Sequence, residues 1–381
     1  MIDIDLETKG LIVGALDAER TADGVILRRL PAWTKHQIVD IAFGLLTTIP
    51  AGVRLELSTD ATEVELDVQL TVLQLGDDEP IPAAFDVVVD GEVVDSQQAT
   101  EGTRIVIDRK TGAIDFRPGG PTTIRFGALP GTPDARVDIW LPHASIVELR
   151  GLRANDGATV TAADDASRPR WIHYGSSISH CMEATQPTGT WPAVTALRAG
   201  ADLQNLAFAG QCMLDQLVAR TIRDLPADAI SLKVGINVLN GDTMRERTFV
   251  PALHGFLDTI RDGHTTTPIA VVTPIWCPSV EDHPGPTAMT DDGKAYAVDR
   301  SEELAVGALT LTRIRELIAM VVHARRSAGD VNLHALDGKS LLGPDDVGDL
   351  PDHLHPNAAG YRRMGERFHA LAFTNGGPFA G

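Results

Sequence analysis

The chain has 381 residues, 43% of them hydrophobic and 22% charged, and a formal net charge of −19. This length predicts two or three folded units, and the composition is that of a globular chain rather than a disordered or fibrous one. The acidity opposes binding to nucleic acid or to an anionic membrane surface, and no segment reaches the run of about 18 apolar residues needed for a transmembrane helix.

The first ten residues, MIDIDLETKG, are acidic and carry no basic-then-apolar leader, so a cytoplasmic location is expected. Residues 1 to about 160 read as β-structure. Val53, Leu55 and Leu57, then Val64, Leu66, Val68 and Leu70, alternate with polar residues, the period of strands with one buried face. Phe85 to Val89, Asp90-Gly91 and Val93 read as a hairpin with a tight turn. Further strands are predicted over 104–107, 114–116, 123–126 and 137–141, with no helical stretch of useful length between them. The pattern predicts an antiparallel sandwich or jelly roll.

The texture changes near residue 160, where Ala162 to Pro169 reads as a linker. Domains are expected over 1–162 and 163–381. Short apolar strands then alternate with helical patterns. Strands are predicted over 171–174, 203–208, 229–234, 269–274 and 331–335. Helices are predicted over 192–199, 214–224, 247–261, 303–326 and 358–372. Such alternation predicts a parallel sheet with helices on both faces. The stretch from Trp276 to Asp299 is rich in Pro, Asp and Gly, and a loop of that length is a candidate functional element. The three cysteines, Cys181, Cys212 and Cys277, form no CxxC or metal-binding spacing, and no dinucleotide or Walker motif occurs. No cofactor or metal is expected.

Chemistry concentrates at four places. Tyr174-Gly175-Ser176-Ser177-Ile178 follows the first strand of the second half, and ligands of open α/β sheets bind beyond the carboxyl ends of strands. A serine hydroxyl needs a base, and the base needs an orienting carboxylate. Asp352-His353-Leu354-His355-Pro356 offers both: Asp352 can reach one nitrogen of His355 while Pro356 keeps that histidine out of the helix that follows. His353 is the rival histidine. Asn357 is positioned to cap the last helix. Acyl chemistry also needs donors for a developing oxyanion, and Gly210 and Asn237, each just past a predicted strand, are candidates.

Taken in order, these pieces resemble the SGNH/GDSL hydrolase family (GDSL-like lipase/acylhydrolase), in the branch with an N-terminal β-sandwich. Block I matches Gly175 to Ile178 with Ser177 as nucleophile. Block II matches Gly210, block III matches Gly235 to Asn237, and block V matches Asp352 to His355. The resemblance spans roughly residues 165–375. It implies a flavodoxin-like three-layer α/β/α sheet after a jelly-roll-like sandwich, a triad of Ser177, Asp352 and His355, and an oxyanion hole from the Ser177 N–H, Gly210 and Asn237. The block I aspartate is Ser176 here, and Val238 stands where many members have aspartate.

Three function classes follow. The first is an acyl-ester hydrolase acting through an acyl-enzyme on Ser177. The second is an acyltransferase that passes the acyl group to an alcohol of a sugar or small natural product. The third is a non-catalytic carbohydrate-binding protein, which the intact residue set opposes. The expected partner is a small-molecule or carbohydrate ester, with no nucleic acid. The acyl group, the alcohol and the oligomeric state are not legible in the sequence.

Overall fold

The computed structural model describes residues 1–108, 111, 113–163, 167–374 and 376–380. The chain divides into two compact units. One comprises Met1–Arg168 with Thr185–Thr188, the other Pro169–Ala184 with Gly189–Gly381. Of the expected linker, residues 164–166 lie outside the described residues.

The first unit is a two-sheet β-sandwich. One sheet is built on the strand Val64–Leu75, whose residues alternate strictly between buried and partly exposed. Ile146–Ala154 pairs with it antiparallel, with a bulge between Leu149 and Gly151. The other sheet centres on Arg54–Thr59 and Ala135–Trp140, also antiparallel. Val64, Leu66, Val68, Leu70 and Val72 of the first sheet share one core with Leu55, Leu57, Val137 and Ile139 of the second, all with no exposure. Each such side chain contributes about 1.5–3 kcal/mol on burial. Asp90 and Gly91 have φ of 50° and 84°, which makes the turn between Ala83–Val89 and Glu92–Ala99 the mirror-image type suited to a two-residue hairpin.

Two features depart from the expected all-antiparallel, helix-free sandwich. Thr71–Leu75 pairs with Thr103–Ile107 in parallel. A 3₁₀ turn at Ala32–Gln37 and a helix at Ile41–Leu46 interrupt the strands. Six residues are too few to display a helical period, so sequence periodicity passes over them.

The second unit holds a five-stranded parallel sheet in the spatial order Asp202–Ala207, Arg170–Gly175, Ala229–Lys233, Ile269–Val272, Leu333–Leu336. In chain order this is 2-1-3-4-5, the flavodoxin-like arrangement, whose ligands sit where the first strand adjoins the third. The final helix, Ala358–Ala372, starts and ends where the sequence predicts, with Asn357 accepting from the Gly360 N–H at its cap. The helix expected over 303–326 is split into Glu302–Ala305 and Leu311–Ser327. Gly307 takes a left-handed φ of 71° between them, and Thr310 caps the second piece. The aperiodic stretch after Trp276 contains a small antiparallel ribbon, Thr287–Met289 with Ala295–Ala297.

Among the described residues, no helix is long and apolar enough to cross a membrane, and no group of three or more His, Cys, Asp or Glu side chains is arranged to hold a metal ion.

Candidate active site

Ser177 sits just past Arg170–Gly175, the first strand of this sheet in chain order, at the point where the strand order reverses. Its neighbours leave it as the reachable hydroxyl: Ser176 and Ser179 have no exposure, while Ser177 is partly exposed. The turn is tight. A Cβ on Gly175 would come within 2.4 Å of the Ser179 hydroxyl and 2.9 Å of His173 Nε2, so only glycine fits. Ser176, standing in place of an aspartate, accepts from the Ile178 N–H and caps the single-turn helix Ser177–His180. The loop lacks that carboxylate and is held by a hydroxyl and backbone bonds.

The loop Asp352–His355 meets this turn across 178 residues of sequence. Ser177 Oγ lies 3.0 Å from His355 Nε2. The other ring nitrogen, Nδ1, lies 2.7 Å from Asp352 Oδ2. The second carboxylate oxygen of Asp352 accepts from the backbone N–H groups of Leu354 (2.9 Å) and His355 (2.6 Å), which fixes the carboxylate's orientation. A carboxylate acceptor at Nδ1 places the ring proton there and leaves Nε2 able to take the serine's proton. Burial alone would lower the proton affinity of His355. The Asp352 hydrogen bond and the charges of Glu183 and Asp352 outweigh it, and the imidazole titrates above its usual 6.5. Burial would raise Asp352, and its bonds with His355 reverse that and hold it below the usual carboxylate range.

The rival histidine falls elsewhere. His353 has a φ of 65° and lines a cavity of about 350 Å³ with Ser279, His283, Tyr296 and Asp299. His173 is fully buried, its Nδ1 2.8 Å from the Ser231 hydroxyl that also accepts from Trp171 Nε1. Burial, aided by Lys233, drives His173 down to about 3, so it stays neutral. His180 accepts the Ala209 N–H at 3.3 Å and so ties the serine helix to the loop that carries Gly210. The cysteines are also set aside as nucleophiles. All three are buried and free of disulfides, and burial pushes Cys212 and Cys277 up to about 12.

Gly210 has a left-handed φ of 72°. Gly235 combines a φ of 116° with close packing: a Cβ there would lie 2.6 Å from Ile314 Cγ2. The chain turns at Gly235 into the helix Ile236–Asn240. Asn237 Oδ1 accepts the Cys212 N–H at 2.9 Å, which orients the amide and reserves its Nδ2 hydrogens for another acceptor. The ribbon after Trp276 joins this region through the Ala295 N–H, which donates to the Asp352 carbonyl at 2.8 Å.

Glu183, beside the His355 ring, and Tyr361, which donates to Glu183, escape sequence reasoning. Each lies six positions beyond a residue already singled out, Ser177 and His355. No spacing rule marks either. Cavity size would also have misled: a larger cavity, about 660 Å³, lies in the first unit among Asp5, Glu7, Arg20 and Arg150, with no serine or histidine in its lining.

The model of the GDSL-like lipase/acylhydrolase family matches residues 173–363, half of the chain and all four of these pieces. The chain belongs to that family. This makes it an enzyme of the SGNH hydrolase or related acyltransferase type. Residues 11–150 match a second model, the N-terminal domain of SsfX3. Among solved structures, the family member is similar to the salicylyl-acyltransferase SsfX3 from a tetracycline biosynthetic pathway. Identity is 28% over 96% of this chain and 95% of that one, with a TM-score of 0.78. A candidate GDSL-like lipase from Bacteroides ovatus is 20% identical over 94% of this chain and 93% of that one, with a TM-score of 0.64. A family two carbohydrate esterase from Clostridium thermocellum is 14% identical over 84% of this chain and 90% of that one, with a TM-score of 0.53. The last two share the fold. No curated protein sequence matches the chain.

Proposed function

We propose that the protein is a serine-dependent acyl-ester hydrolase whose nucleophile is Ser177, with His355 as general base and acid and Asp352 as its orienting carboxylate. The observation that carries this reading is the unbroken relay from Ser177 Oγ through the His355 ring to Asp352, at 3.0 and 2.7 Å. Ser177 Oγ attacks the ester carbonyl carbon as its proton moves to Nε2. The carbonyl oxygen becomes an oxyanion, for which the Ser177 N–H, the Gly210 N–H and Asn237 Nδ2 are the proposed donors. Collapse expels the alcohol, which takes the proton from Nε2 and leaves the acyl group on Ser177. Water then repeats the sequence in reverse roles and frees the acid. Asp352 keeps the proton on Nδ1 throughout and offsets the charge of the imidazolium.

The working division places acyl chemistry in residues 163–381 and a separate sandwich in 1–162, supported by the compact-unit boundary at Arg168 and Pro169. The substrate is a small-molecule or carbohydrate ester, and the net charge of −19 opposes polyanionic partners.

A second reading, acyl transfer to an alcohol, is favoured by the 28% identity to an acyltransferase that extends across both units. The same acyl-enzyme serves both reactions, so the discriminating quantity is its lifetime. Intact-protein mass spectrometry after mixing with an aryl ester measures it. A hydrolase discharges the adduct in water within seconds, on the usual scale of turnover. An adduct that persists for many minutes, and discharges quickly once a particular alcohol is added, makes the protein an acyltransferase.

A further inference from the structure

Two carboxylates face the His355 ring. Asp352 comes from the histidine's own loop and holds the Nδ1 proton at 2.7 Å. Glu183 comes from the segment after the serine helix, and its Oε1 lies 3.8 Å from the same Nδ1. That distance is too long for a hydrogen bond, so Glu183 acts on the ring through its charge. Its second oxygen, Oε2, accepts from the Tyr361 hydroxyl at 2.6 Å. Tyr361 lies in the last helix with no exposure. Burial, then the Glu183 charge, raises its phenol well above the usual value, so it remains a donor at any working pH. Glu183 and Tyr361 are separated by 178 residues, as are Ser177 and His355. The two contacts therefore run side by side between the same two segments.

We propose that Glu183 is a positioning residue of this site, a second carboxylate that Tyr361 locks beside the His355 ring to hold and stabilise the imidazolium as it forms. The inference rests on the reading of His355 as the base for Ser177. When the proton passes from Oγ to Nε2 the ring gains one positive charge, and Asp352 and Glu183 both lie within 4 Å of it. Among the described residues, Asp352 and Glu183 are the charges that act on the ring. Tyr361 and Cys277 are protonated, Cys277 being pushed up to about 12 by burial and reaching the loop through its contact with the Leu354 carbonyl. Lys233, at the end of its strand, acts on the Cys277 thiol. The ribbon meets the loop through backbone, and Lys294 beside it pairs with Asp292.

The test is an NMR titration of the His355 imidazole, run alongside the pH profile of kcat/KM, in wild type, Glu183→Gln and Tyr361→Phe. Glutamine keeps an oxygen for Tyr361 and removes the charge. A lost carboxylate weakens the ring's hold on its proton, so the imidazole midpoint and the acid limb of the profile move to lower pH. The expected shift is about half a unit to one unit, with a plateau kcat lower by about three- to tenfold. Tyr361→Phe moves both in the same direction. In an Asp352→Asn background, Glu183→Gln costs more than in wild type, because the remaining carboxylate then supports the ring alone. An unchanged midpoint and acid limb in Glu183→Gln would reduce Glu183 and Tyr361 to a staple between two segments and overturn the proposal. The NMR titration does not need turnover. A Glu183-dependent midpoint in a protein whose activity survives Ser177→Ala would uphold the Glu183–His355 coupling and fault only the reading of Ser177 as the nucleophile that His355 serves.

Discussion

The carboxylates of Glu56 in the first unit and Asp352 in the second are both held below their usual range, by opposite means. Glu56, its side chain 4% exposed, sits among three guanidinium groups: Arg54 and Arg136 at 2.7 Å and Arg168 at 2.5 Å. Burial would raise it, and the charges of Arg54, Arg168 and Arg136 override that. Asp138 shares Arg136 and Arg168, yet burial and the Glu56 charge raise it. Every cation in this cluster is an arginine, which cannot give up its proton. The Asp352 cluster ends instead on an imidazole whose far nitrogen touches a partly exposed hydroxyl. Perturbed carboxylates mark both places, so perturbation alone does not find a site. A base able to exchange a proton, aimed at a nucleophile at a strand end, does.

Substitutions that separate chemistry from stability sharpen this contrast. Ser177→Ala and His355→Ala should each lower kcat by about three orders of magnitude or more with little change in melting temperature, because the two act as one unit. Retained turnover in either would place the chemistry elsewhere. Glu56→Gln should do the reverse. It leaves the buried Arg54 without its anion, while the partly exposed Arg136 and Arg168 keep Asp138, and costs about 3–5 kcal/mol of folding stability by denaturant titration, with kcat of the folded fraction unchanged. The wild-type contribution of Glu56 is present above its ordinary value of 4.5 and is lost as the pH falls below it, since the folded value is depressed. A Glu56→Gln protein as stable as wild type would contradict the structural role of that cluster. Asn237→Ala has a smaller expected effect than the loss of Ser177 or His355, about 10²-fold in kcat with KM little changed, the scale of one lost oxyanion donor. A change confined to KM would make Asn237 a binding residue.

What the sequence disclosed is what short range dictates. The strict alternation of Val64 to Leu75, the Asp-Gly hairpin, the Asn357 cap and the Asp352–His355 loop are each encoded within a few residues. The meeting of Ser177 with His355 was legible only because four pieces occur in the order of a known family. The parallel pairing of Thr71–Leu75 with Thr103–Ile107 was not legible, since nothing within a strand names a distant partner. Nor was the Glu183–Tyr361 contact, which depends on where the last helix settles. The break at Gly307 carried a signal, a glycine inside a helical pattern, that the periodicity on either side outweighed.

The central claim is that Ser177 is the nucleophile and that His355 activates it. Fluorophosphonate labelling of the intact protein, with the adduct located by peptide mass spectrometry, tests both parts at once. The account predicts a single adduct on Ser177 that forms rapidly in wild type and is lost or slowed by orders of magnitude in His355→Ala. Labelling of Ser176 or Ser179, or labelling of Ser177 at an undiminished rate in His355→Ala, would contradict it.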